Sequence, residues 1–219
     1  MKSTFISLTL IGVAFLGSTL AVTARASDDP GTKETPDRRF EKLLADAMKD
    51  PEKADWKPLR EAFSRTSHYK PYSTEVTEKL QEIARSIGRG ESKESEAALL
   101  KLLEQERFMR FDSVAMLMML YEKTDRPEKA EKYKKLLHGI LGVLNYPKAG
   151  TSFENPITVL FIQEEYLVAT NMPVESQGLV INKTHRFDVL EIATKGDEPV
   201  KKIYFDIDLL RNAKSILDK

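Results

Sequence analysis

Side chains able to do acid–base work gather in the C-terminal third of the chain. Glu164 and Glu165 are adjacent, Asp188 and Glu191 stand three apart, and Tyr166, Tyr204, His185 and Asp206 complete the set. Two carboxyl groups converging on one surface would suit hydrolysis by general acid–base catalysis. Their spacing argues against it. Residues one or three apart in a strand point to opposite faces, so neither acidic couple is a ready pair if these segments are strands. Glu164 and Glu165 then read as solubilising residues at a hairpin turn, and Tyr166 and Tyr204 as sheet-face packing with wet hydroxyls. Asp206 reads as the cap of a closing helix.

The other chemical candidates are weaker. His68, His138 and His185 are far apart, and none has a second histidine at i+3 or i+4, so no histidine metal motif exists. His68 belongs to a His-Tyr-Lys-Pro-Tyr segment that suits a packed turn between helices. Met109, Met116, Met118 and Met119 could offer thioethers to Cu(I), yet Leu117 and Leu120 in the same run favour core packing. There is no Gly-x-Ser-x-Gly elbow, phosphate loop or dinucleotide fingerprint. Cysteine is absent, which removes thiol catalysis, cysteine-ligated zinc and disulfides. Catalytic, cofactor-binding and metal residues are therefore left unassigned, and no cofactor is expected. The candidate interaction surface comprises Glu164, Glu165 and Tyr166 with His68, Tyr69 and Tyr72.

The elements that must position these residues fall into two halves, 37–146 helical and 150–219 largely β. Phe40, Leu43, Leu44, Ala47 and Met48 follow helical spacing until Asp50-Pro51 stops them. Trp56, Leu59 and Phe63 mark a second helix. Val76, Leu80, Ile83, Ala84 and Ile87 mark a third, capped by Ser73 or Thr74 and stopped at Gly88 and Gly90. A fourth runs from Ser92 to about Arg107, a fifth is capped by Asp112, and Pro127 opens a sixth reaching about Leu144. Short connections predict antiparallel hairpins, the last resembling a tetratricopeptide pair through Leu117, Tyr121, Ala130, Tyr133 and Leu137. Beyond Pro156 the runs 157–163, 166–170, 177–181, 186–192 and 201–207 read as strands. Turns at 171–173, 182–184 and 195–197 join them into an antiparallel meander. A closing helix from about Asp208 would cover it with Leu209, Leu210, Ala213, Ile216 and Leu217. The fold class is thus α+β.

A family resemblance lies in the second half. Gly150-Thr151-Ser152, Pro156-Ile157-Thr158-Val159, Gln163-Glu164-Glu165-Tyr166, Gln177-Gly178-Leu179, Phe187-Asp188-Val189-Leu190-Glu191 and Ile203-Tyr204-Phe205-Asp206-Ile207 carry it. Together they resemble an exported bacterial family catalogued as domain of unknown function 4919, over roughly residues 110–208 and loosely before that. The resemblance implies a helical first half and a β second half, and it implies no known reaction.

The N-terminus supplies an address. Lys2, the apolar stretch from Phe5 to Val22 and the small-x-small site Ala24-Arg25-Ala26 form an export signal, with cleavage expected after Ala26. Residues 27–36 read as a flexible lead-in. Of 34 basic residues Lys2 and Arg25 lie in the signal, so the mature chain carries 32 against 34 acidic. That balance gives no reason to expect nucleic-acid binding. The longest later apolar run, Val114 to Tyr121, is far short of the roughly 18–20 residues of a membrane span. The mature product is expected to be soluble, periplasmic or secreted. The favoured reading is an interaction module of the cell envelope with a protein partner, and the alternative is a hydrolase or small-ligand-binding protein with a site at the helix–sheet junction.

Overall fold

The computed structural model describes residues 34–194 and 199–212, with side chains to Leu210. The expected signal, most of the lead-in, the turn at 195–197 and Ala213, Ile216 and Leu217 lie outside them. Among the described residues the helical half contains α1 (Pro36–Ala47), α2 (Trp56–Phe63), α3 (Glu75–Gly88), α4 (Ser92–Gln105), α5 (Phe111–Lys123) and α6 (Pro127–Gly142). Local chemistry sets several of their starts. Pro36 occupies the first turn of α1, and Thr35 Oγ1 accepts from Arg38 N. Asp55 caps α2 by accepting from Lys57 N.

The start of α5 departs from expectation. Its cap position is Arg110, and Asp112 lies inside the first turn. The Arg110 guanidinium is buried and takes the Asp112 carboxylate as its counter-charge, at 3.1 and 2.5 Å. Burying an unpaired guanidinium would cost more than a helix cap contributes, so the ion pair decides where Asp112 sits.

Successive helices pack on one another, α1 on α2, α3 on α4, α4 on α5 and α5 on α6. Their apolar stripes build a first core that includes Phe40, Leu59, Phe63, Leu99, Leu117 and Leu136. Met109 is fully buried in it, Met116 and Met118 pack against it, and Met119 is exposed. α6 approaches α2 at Gly139, where an added Cβ would stand 2.3 Å from Trp56 Nε1 and 2.4 Å from the Pro51 carbonyl oxygen. The indole donates to that carbonyl at 2.8 Å.

The β half differs from the expected meander. Its sheet is mixed, with strand order β1-β4-β3-β2 among β1 (Ile157–Thr158), β2 (Val174–Asn182), β3 (His185–Ile192) and β4 (Lys201–Asp206). β2–β3 and β3–β4 are antiparallel, whereas β1 runs parallel to β4. The run 157–163 keeps strand form for two residues only, and 166–170 forms no strand. A short helix, α7 (Ile162–Val168), replaces both. It carries the chain from the β1 edge to the β2 edge, so β1 pairs with the last strand and not with the next. The closing helix is a 3₁₀ turn, Asp208–Asn212, over the described residues.

One segment stitches two cores together. Ile157 and Val159 join Leu190, Ile203, Phe205 and Leu210 in a second core under the sheet. Leu160 and Phe161 point the other way into the helical core. The Phe161 ring lies 5.9 Å from Tyr69, 6.4 Å from Phe63 and 5.0 Å from the Arg110 guanidinium carbon. Gly150, at φ +85°, brings the loop before β1 against Ile157, and its carbonyl accepts from Tyr204 N.

Candidate functional site

Both glutamates expected at an exposed turn are buried, Glu164 at 0% and Glu165 at 1% exposure. In a helix successive side chains are about 100° apart, so α7 turns both acids inward and leaves Tyr166 outside, 61% exposed. Glu164 meets Arg60 across 104 positions of sequence. The guanidinium grips the carboxylate bidentately, Nη1–Oε1 at 2.8 Å and Nη2–Oε2 at 2.7 Å. Arg60 Nη2 also donates to the Thr158 carbonyl, and Leu160 N donates to Glu164 Oε2. Tyr69 Oη closes the group by donating to the Leu160 carbonyl at 2.6 Å. Burial, then the Glu164 charge, pushes the Tyr69 phenol well above its usual range. The whole network ties α2 and the loop after it to the β1–α7 link.

Glu165 has poorer company. Its Oε2 takes a long hydrogen bond of 3.4 Å from Gln177 Nε2, and its Oε1 has no hydrogen-bond partner. Gln177 also donates to Asp188 Oδ2 at 3.1 Å. Burial, then the Asp188 and Glu164 charges, push the Glu165 carboxyl up to about 8. It is a neutral acid at pH 7, wedged between α7 and the under-face of β2 and β3.

The remaining residues of the sequence reading are dispersed. Tyr72 is 52% exposed and His68 is exposed, while Tyr69 is buried. Of the six residues expected at an interaction surface, Glu164, Glu165 and Tyr69 are interior, and His68, Tyr72 and Tyr166 are exposed. Tyr204 packs against Phe153 at 4.6 Å. Glu191 lies on the opposite face of β3 from Asp188 and pairs with Lys202 at 2.7 Å. His138 stands 3.9 Å from Glu52. His185 Nδ1 meets Asp208 Oδ2 at 2.6 Å, and Asp206 Oδ1 accepts from Asp208 N.

A cavity of about 280 Å³ opens at the helix–sheet junction. Lys57, Arg60, Asn145, Thr158 and Leu209 are among its lining residues. Arg60 was absent from the sequence candidates, although its signal was present: it occupies the α2 stripe of Trp56, Leu59 and Phe63, where a charge must find a buried partner.

A family model described as "Domain of unknown function (DUF4919)" matches residues 40–215. The chain belongs to this family. The DUF4919 match extends the resemblance back through the helical half to Phe40, so the family unit includes both cores and the Arg60–Glu164 pair that joins them. No curated protein and no solved structure matches the chain.

Proposed function

We propose that this DUF4919 chain is an exported interaction module of the cell envelope that binds an extended strand of a partner protein along β2. The carrying observation is the outer edge of that strand. β2 ends the sheet, spans nine residues, and leaves Leu179 and Ile181 62% and 64% exposed on one face. Edge strands are usually blunted by lysine, proline or cover, yet Val174–Asn182 contains neither residue and a single charge, Glu175. An incoming strand would complete the backbone ladder and cover the two apolar side chains. The helices, stacked as successive pairs with a tetratricopeptide-like last pair, serve as the scaffold. The signal-like N-terminus supports export, with a mature N-terminus at Ser27.

A photo-crosslinking residue at position 179 or 181 of the full chain, expressed in cells, tests this reading. It should capture one partner protein that a probe at exposed Leu100 does not; Ile181→Lys should abolish capture by the probe at 179, and Leu179→Lys capture by the probe at 181, each leaving stability within about 0.5 kcal/mol. Equal capture from all positions, or none, would overturn it.

The junction cavity supports a second reading, a small-ligand site. Its walls carry Lys57, Glu61 and Asn145 beside an Arg60 whose charge Glu164 already matches, a mixed lining that suits a small polar ligand.

A further inference from the structure

We infer that His185, Asp206 and Asp208 form a binding site for a divalent transition-metal ion. Three elements bring them together: His185 opens β3, Asp206 closes β4, and Asp208 begins the 3₁₀ turn. One ligand atom from each lies within 4.8 Å of the other two. Donors sharing an ion at about 2.1 Å stand at most about 4.2 Å apart, so small side-chain rotations complete the set.

The register explains the convergence. Asp206 pairs with Phe187, which puts His185, two residues earlier on β3, on the same face just beyond the end of β4. Backbone amides orient both carboxylates. Asp206 Oδ1 accepts from Asp208 N at 2.9 Å and Asp208 Oδ1 from Arg186 N at 3.2 Å. This holds the second oxygen of Asp208 against the imidazole, 2.6 Å from Nδ1. The two amide hydrogen bonds pre-orient the carboxylates as metal ligands, and a bound ion would replace the hydrogen bond between Nδ1 and Oδ2.

Neighbours of two of the three ligands line a cavity. Thr158, the lateral partner of Asp206 in the parallel β1–β4 pair, and Leu209, next in chain to Asp208, both line the junction cavity. An ion held by three protein donors keeps coordination positions for water or a ligand. The donor chemistry selects the ion. One imidazole nitrogen with two carboxylates suits Zn²⁺ or Mn²⁺, whereas Ca²⁺ and Mg²⁺ favour all-oxygen sites, and the lack of thiolate donors disfavours Cu(I). Binding would staple the turn after β4 to the start of β3.

Calorimetric titration of the full chain with Zn²⁺, after chelator treatment, tests the site. One ion per chain should bind, with His185→Ala and Asp208→Asn each weakening it at least tenfold and His138→Ala leaving it unchanged. Calcium should bind far more weakly. Mn²⁺ added to the wild-type protein provides a readout independent of any variant, and should broaden amide signals of residues 184–187 and 205–209 before all others. Absence of binding, equal loss in His138→Ala, or broadening centred elsewhere would overturn the assignment.

Discussion

At the scale of single residues, two neighbouring glutamates have opposite electrostatic fates. Glu164 is paired bidentately with Arg60 in the interior, so removing one partner strands the other. Glu164→Gln or Arg60→Met should each cost about 3–5 kcal/mol in urea unfolding, and the paired Arg60→Met/Glu164→Leu substitution should recover much of that loss. Glu165 is held neutral by burial and by Asp188. Its carboxyl binds its proton up to about pH 8 in the folded state, against an ordinary value of 4.5 in the unfolded chain. The folded state therefore keeps a proton that the unfolded state releases. This contribution to stability is complete below about pH 4.5, declines as pH rises toward 8, and is flat above that. Unfolding measured from pH 4 to 9 should show the decline, and Glu165→Gln should remove it. Adjacent identical side chains thus differ by what the rest of the chain brings to them.

At the scale of elements, close approach and surrounding contacts override local preference. α6 reaches α2 only because residue 139 lacks a side chain. Gly139→Ala would drive a methyl group into the Trp56 indole and its hydrogen bond to the Pro51 carbonyl, and should lower stability by about 1–3 kcal/mol, read in the thermal midpoint. α7 makes the same point in reverse. Its sequence, Ile162–Val168, has β-branched ends and glutamates in the middle, and alternation alone reads it as strand and hairpin. Its helical form is selected because it turns Glu164 toward Arg60 and frees Val159, Leu160 and Phe161 to fill two cores. Five of the helices, of 12 to 16 residues, were legible because each carries three or more turns of one apolar stripe, and the eight-residue α2 was marked by Trp56, Leu59 and Phe63 at helical spacing. A seven-residue helix carries too few turns to separate a 3.6-residue period from a two-residue one.

At the scale of the whole molecule, the segment 157–164 makes the two cores interdependent. Phe161 is 1% exposed within the helical core, four residues from Ile157 in the sheet core. Phe161→Ala should cost about 3–5 kcal/mol. In the wild type, fluorescence of the single tryptophan, Trp56, and loss of β3–β4 amide protection should report one coincident denaturant transition. Separate midpoints would show that the halves unfold independently. The sequence by itself determined the α+β division, the bounds of the long helices within a few residues, the places of β2, β3 and β4, and the family resemblance. Each rests on periodicity or turn chemistry that neighbouring residues carry. Only the tertiary structure decided the parallel β1–β4 pairing, the burial of Glu164 and Glu165, and the meeting of His185 with Asp206 and Asp208. Those depend on contacts between residues up to 104 positions apart, Arg60 and Glu164 above all, and no local pattern encodes which distant charge a buried carboxylate will meet.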